Sequence, residues 1–335
     1  MDALAALLDG PRAAGAFLLR SVMNPPWSMR IQDRSPLTVV VIAQGHAWIT
    51  PETDPPLRLS PGEVALARGP HPYVVSDSPG TPPQIVIHPG QICTTLDGTR
   101  LEETMSQGIR TWGNTPTGET VMLTGTYETA TETAQQLLNA LPPLLALPAD
   151  PAHTPLIDLL TQEITQDSPG QNAILDRLLD LLTITLLRSW LTRPDVQPPA
   201  WYRAQSDPMI GQALRLLHHN PSHPWTVELL ARQLDVSRST LARRFTTLVG
   251  EPPMAHLTRW RLSLAADLLQ DPALTLEAIA RKVGYATPYA LSTAFKRTRG
   301  LTPAQHRTRR PPISRTPPKT LYATDGATHN GPTRM

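Results

Sequence analysis

Two stretches of this sequence place side chains suited to reading a polyanion at matching positions. In SRSTLARRFTTLVG, Leu241, Phe245 and Leu248 fall at i, i+4 and i+7, the spacing of one buried helical stripe. A step of about 100° per residue then puts Ser239, Arg243 and Thr246 on the opposite face, with Ala242 flanking them. In TPYALSTAFKRTRG, Leu291 and Phe295 take the inward places, so Tyr289, Thr293 and Lys296 face outward and Ser292 flanks. Such a face suits readout of base edges in a major groove. A guanidinium like that of Arg243 donates two hydrogen bonds to guanine O6 and N7. Tyr289 suits stacking on thymine methyls or sugars. Arg238, Thr240, Arg244, Thr287, Lys296 and Arg297, with the helix N-termini, suit phosphate contacts that hold register without reading sequence. Lys282 and Arg299 join them as further cations for a salt-dependent grip. The plain alternative for any single arginine is a solvated helix face.

Catalytic chemistry has no comparable pattern. A catalytic metal needs three or four donors, yet His46, His71 and His88 stand apart, no HxH occurs, and Glu63 has no evident partner. No nucleophile–base pair and no phosphate loop is present. The single cysteine, Cys93, excludes an internal disulfide framework and a cysteine-built zinc site. It follows the QIVIHPG strand and turn, where it reads either as packing or as a redox switch.

The elements that must hold the two reading faces are helices with their own start signals. Asp207-Pro208 caps a helix that runs to Asn220. Thr226 caps a short helix ending near Leu234, Asp235-Val236-Ser237 turns the chain, and Ser237 caps a second helix to about Val249. Ala231 is small where the two helices cross. The layout recurs in TLEAIARKVGYATPYALSTAFKRTRG, with Ala280 for Ala231, Gly284 in the turn and Thr287 as the cap. Between them MAHLTRWRLSLAADLLQ is a long helix with more than one apolar stripe, so both units grip it. A plain helical bundle is the bland alternative. Two helix-turn-helix units in one strongly basic segment argue against it.

Charge separates the chain in two. Residues 1–206 hold 12 Lys+Arg against 20 Asp+Glu, a net of −8, whereas residues 207–310 hold 15 against 7, a net of +8. A basic half of that kind meets a polyanion. The 335 residues suggest two domains. No run of 18 apolar residues is free of charge, and the acidic start MDALAALLDG lacks a secretory n-region, so a cytoplasmic protein without a membrane span is expected.

Residues 27–127 read as short strands between turns: WSMRIQ, LTVVVIA, HAWIT, LRLS, EVALA, HPYVVS, QIVI and TVMLTGTY. LRLS-PG-EVALA is the clearest, two strands with a tight turn. From 131 the pattern is helical: TETAQQLLNAL, then LIDLLTQEI capped by Thr154, then Ile174–Leu191. That last helix is apolar on most of its circumference, hence buried in its own domain or paired with a second chain. The expected organisation is a multidomain chain. An all-β barrel occupies 1–130, helices and a Pro-rich linker 131–206, an all-α double helix-turn-helix domain 207–308, and a disordered tail 309–335.

Residues 208–306 resemble the DNA-binding domain of the AraC/XylS family of bacterial transcription regulators. The matching stretches are EPPMAHLTRWRLSLAADLL, IARKVGY-x-T-P-x-A-L-S-x-A-FKR and the closing GLTPAQHR. His306 stands where the family has Tyr, and Asp235 where Gly is common. RLSPGEVALARGPHPYVVSD is similar to the cupin-like domain fused to it in one subgroup, and the NALPPLLAL and AILDRLLDLLTITLLRSWL segments look like the helices that follow. The resemblance implies an activator or repressor that binds double-stranded promoter DNA through two recognition helices, about 34 Å apart along the duplex. The N-terminal half would take a small-molecule effector or form a homodimer. No cofactor and no metal are expected. The rivals are a cupin-type metal enzyme with an accessory nucleic-acid module, and a regulator controlled by its concentration alone.

Overall fold

The computed structural model describes residues 16–128 and 131–309. The expected disordered tail lies outside these residues, apart from Arg309.

Apolar, β-branched runs between turn residues form two sheets. The larger orders its strands β10 (Ser106–Gly108), β11 (Thr111–Gly113), β1 (Phe17–Met23), β12 (Thr120–Tyr127), β3 (Leu37–Gln44), β6 (Val64–Arg68) and β13 (Leu144–Leu147). The smaller runs β5 (Leu57–Leu59), β4 (Ala47–Pro51), β7 (Tyr73–Ser76), β2 (Ser28–Ile31), β8 (Ile85–His88) and β9 (Ile92–Thr95). Every strand read from the sequence is present. LRLS and EVALA do not pair, however: β5 bonds to β4 and β6 to β3, so their Pro-Gly turn carries the chain from one sheet to the other. The strands β1, β9, β10, β11 and β13 escaped the sequence reading, most of them being three or four residues long.

The larger sheet is covered on both faces, which is why Leu37 to Ile42 are buried without alternation. Phe17, Leu19, Val40, Ile42 and Met122 face Met29, Ile49, Val75 and Ile87 of the smaller sheet. On the other face, Leu18, Val39, Val41 and Leu123 pack under three helices: α1 (Glu132–Leu138), α2 (Thr154–Glu163) and α3 (Gln171–Leu191). Each fully buried Leu or Val there contributes about 1.5–3 kcal/mol. At Gly125 of β12 a Cβ would come 2.5 Å from Leu179 Cδ1, so glycine is what lets α3 close on the strand.

Three local expectations need correction. Leu144–Leu147 is an edge strand, not helix, because Pro142-Pro143 ends α1 early and the apolar LLAL pairs with β6. Thr154 is the first residue of α2 rather than its cap; its hydroxyl donates to the Asp150 carbonyl at 3.1 Å. The 194–207 linker is also ordered, with α4 (Ala200–Arg203) and a 3-10 turn at Ala204–Ser206. Trp201 packs on both the helix-covered core and the core of the next domain.

Helices α5 (Pro208–His219), α6 (Val227–Gln233), α7 (Arg238–Val249), α8 (Pro253–Leu268), α9 (Leu276–Val283), α10 (Pro288–Arg299) and α11 (Pro303–Arg309) complete the described chain. They form two cores. Leu230, Ala231, Leu241 and Phe245 close one, and Ile279, Ala280, Leu291 and Phe295 the other. The long helix α8 gives Leu257 to the first and Leu262, Ala265 and Ala266 to the second.

Candidate nucleic-acid interface

Each reading helix starts on a hydroxyl cap. Ser237 Oγ accepts the Thr240 N–H at 3.1 Å, and Thr287 Oγ1 accepts the Ala290 N–H at 3.1 Å. The turn before each helix needs a left-handed residue. Gly284 takes it at φ +84°, where a Cβ would meet Pro221 O at 2.8 Å. In the first unit Asp235 fills the same role at φ +52°, a conformation Asp tolerates better than most residues.

Below the caps, Leu241, Phe245, Leu291 and Phe295 are fully buried. Leu248 is half-buried and packs against the same core, and Val249 joins it as a further buried residue of α7. The outward set is unaffected. Ser239, Arg243 and Thr246 are exposed, and Ala242 is half-buried beside them. On α10, Tyr289 is 81% exposed, Thr293, Lys296 and Arg297 are exposed, and Ser292 is half-buried.

The cations differ in how free they are. Among the described residues no ion pair engages Arg243, Lys296 or Arg297. Arg238 pairs with Glu228 at 2.8 Å on the surface. Arg244 donates Nε to Asp207 Oδ2 at 2.9 Å, so a phosphate would have to share it with the cap of α5. Thr240 Oγ1 accepts the Ser237 hydroxyl at 2.8 Å. Arg299 does not stand ready for a phosphate: its guanidinium lies 5.2 Å over Phe295 and pairs with Glu132 at 3.0 Å.

Sequence reasoning missed a buried polar cluster behind α7. His218 Nε2 and His256 Nε2 are 2.9 Å apart, His256 Nδ1 meets Glu251 Oε1 at 2.8 Å, and Arg259 also donates to that carboxylate. Burial first, then the nearby His256 and Arg259, push the His218 pKa down to about 3, so it is neutral near pH 7. No sequence motif announces this pairing, since the two histidines lie 38 residues apart.

In the N-terminal half, the candidate ligands do not converge. His88 bridges Gln32 and Thr94, Glu63 accepts the Ser60 N–H at 2.6 Å, and His71 is exposed. His46 is half-buried, and its carbonyl accepts the Thr120 hydroxyl at 3.0 Å. Among the described residues no three His, Cys, Asp or Glu side chains form a metal-binding group. Cys93 is buried, and burial, then Glu102, push its thiol up to about 12. It stays protonated and inert, which favours packing over a redox switch. Between the sheets lies a cavity of ≈ 60 Å³. Phe17, Met29, Trp112 and Met122 line it together with Asp33 and Gln91, which bond to each other at 2.9 Å.

Comparison with known proteins agrees with this division. The family described as Cupin matches residues 2–192, and the one described as Helix-turn-helix domain matches residues 230–309. A putative AraC-like transcription regulator of Streptomyces lividans is 34% identical over 84% of this chain and 90% of its own length. A second, from Streptomyces antibioticus, is 34% identical over 76% of this chain and 80% of its own. The HTH-type transcriptional regulator AlkR of Acinetobacter baylyi is 29% identical over 92% and 99%.

Proposed function

Because the chain belongs to the AraC-like transcription regulators, with a cupin N-terminal domain and a helix-turn-helix C-terminal domain, we propose that α7 and α10 read promoter DNA in successive major-groove segments. Ser239, Ala242, Arg243 and Thr246 contact bases in one segment, and Tyr289, Ser292 and Thr293 in the next. Arg238, Thr240, Thr287, Lys296 and Arg297 hold phosphates, with Arg244 shared between a phosphate and Asp207. One observation carries this reading. Each helix hides its apolar stripe completely, yet leaves the opposite face uncovered, including a tyrosine that is 81% exposed. An aromatic ring so placed gains stability only when something stacks on it.

The N-terminal domain sets when binding occurs. A small effector occupies the intersheet cavity, and two copies of the chain meet through the exposed Leu159, Ile174 and Leu181 of α2 and α3. The protein works in the cytoplasm, where its DNA is. A cupin enzyme is not favoured, since the relatives are named as transcription regulators.

The test is selection of bound duplexes from a random pool by the full chain, followed by salt titration on the enriched site. Two short segments about 34 Å apart are expected, with a log–log salt slope of about −0.9 per phosphate neutralised. A pool with no enriched sequence, or binding indifferent to salt, would overturn the reading.

A further inference from the structure

We propose that helix α1 couples the N-terminal domain to the second reading unit, and that its Glu132 restrains α10 by holding Arg299. The inference rests on the reading that α10 contacts DNA. Helix α1 belongs to the N-terminal core through Ala134, Leu137 and Leu138, which are buried with the outer face of the larger sheet. Its first residue faces the other domain. The Glu132 N–H donates to Asp267 Oδ1 of α8 at 2.6 Å, and Glu132 Oε2 meets Arg299 Nη1 at 3.0 Å. Arg299 is the last residue of α10. It is fixed there by Ser263 Oγ of α8 at 3.4 Å and by the Phe295 ring.

Both partners of the ion pair are largely withdrawn from water, with side chains 20% and 29% exposed. A pair so placed is screened less than an exposed one, and cutting one partner leaves the other poorly compensated. The two reading units are therefore joined to the N-terminal domain differently. The first follows α4 through the chain itself. The second is reached by a non-covalent contact that can open and close.

The same helix lies close in sequence to the cavity. Strand β12 supplies Met122, Thr124 and Thr126 to the cavity lining, and Tyr127 at its end bonds to Thr183 at 2.9 Å. Glu132 follows five residues later. One strand thus lines the cavity and precedes α1 in the chain.

The contact also sets a charge. It places the carboxylates of Glu132 and Asp267 beside the C-terminal end of α10, whose Lys296 and Arg297 face outward, and it occupies Arg299. Arg299 itself lies four residues after Phe295 on the inward face, so opening the contact acts by freeing the end of α10, and the closed contact weakens that unit's hold on DNA.

The test uses full-length Glu132→Gln, Arg299→Gln and the double variant, each confirmed as folded by circular dichroism. On the enriched two-segment site, Glu132→Gln should tighten binding by about fivefold or more. The gain should vanish on DNA with the second segment scrambled, and in the Arg299→Gln background. Equal gains on scrambled DNA or with Arg299→Gln would mean a bulk charge effect and overturn the proposal. Hydrogen exchange on the free protein gives a readout that needs no DNA. Glu132→Gln should speed exchange over residues 288–299 and leave 238–249 unchanged. Unchanged exchange in 288–299 overturns the coupling whether or not the chain binds DNA. Failure to bind any DNA, with exchange altered as expected, would instead sink the reading of α10.

Discussion

Asp207 and Arg244 meet across the first helix-turn-helix unit, Oδ2 to Nε at 2.9 Å, while Oδ1 of the same carboxylate accepts the Met209 and Ile210 N–H groups. One side chain thus caps α5 and ties it to the reading helix α7. Loss of the cap alone costs about 0.5–2 kcal/mol, and Asp207→Ala also releases Arg244. The thermal midpoint of Asp207→Ala should therefore fall further than that of Arg244→Ala, as a pair of melting curves would show. If the two variants melt alike, the cap contributes nothing beyond the ion pair.

Acid should act through the same carboxylate. Burial by itself would raise the Asp207 pKa, but Arg244 and the two N–H groups outweigh it and hold it below the usual carboxylate range. Glu251 behaves likewise: burial would raise it, and His256 and Arg259 bring it down to about 2. Both folded values lie below their unfolded ones. The stability they contribute is therefore present above about pH 4 and lost as pH falls through the folded values. Denaturant midpoints measured from pH 5 to pH 2 should drop, and more shallowly for Glu251→Gln. An equal slope in that variant would remove Glu251 from the acid response.

His218 adds a window at higher pH. Its pKa is lowered from 6.5 to about 3 by burial and by His256 and Arg259. Between those values the unfolded chain binds a proton that the folded one refuses, so stability falls as pH drops below about 6.5. His218→Gln keeps a donor and acceptor near His256 without titrating. Its melting temperature should change less between pH 7 and pH 5 than that of the parent protein. A parent melting temperature that is flat over this range would refute the buried neutral histidine.

Arg243 and Lys296 should separate reading from holding. Arg243→Ala should cost about 1–3 kcal/mol at the selected site and relax preference at one base position. Lys296→Ala should weaken all sequences alike and flatten the salt slope by about 0.9. A variant of Arg243 with unchanged sequence preference would take that residue out of the base-reading set.

Phe245 and Phe295 are each fully buried at the centre of one unit. Truncation to Ala should cost about 3–5 kcal/mol. Since the two cores are separate, each loss should be confined to its own unit, as hydrogen exchange over 238–249 and 288–299 would report. Both segments loosening together in a single variant would show that the two cores fold as one.

The features legible in the letters alone are local ones. Caps at Asp207, Thr226, Ser237 and Thr287, the small Ala231 and Ala280, and the Leu–Phe stripes all act within a few residues, where helical period and turn chemistry decide the outcome. The outward set on α7 and α10 was legible for the same reason: one buried stripe leaves its opposite face defined. Tertiary structure decided whatever depends on partners distant in sequence. LRLS and EVALA look like a hairpin, but which sheet each strand joins is settled by β4 and β3. LLAL has the apolar content of a helix and becomes a strand because β6 offers it an edge. Cys93 is ambiguous as a letter and inert as a buried thiol beside Glu102. Arg299 reads as one more free cation of a basic helix. Only the fold brings Glu132 to it, across 167 residues of chain, and partial burial makes that pairing matter because water screens it less.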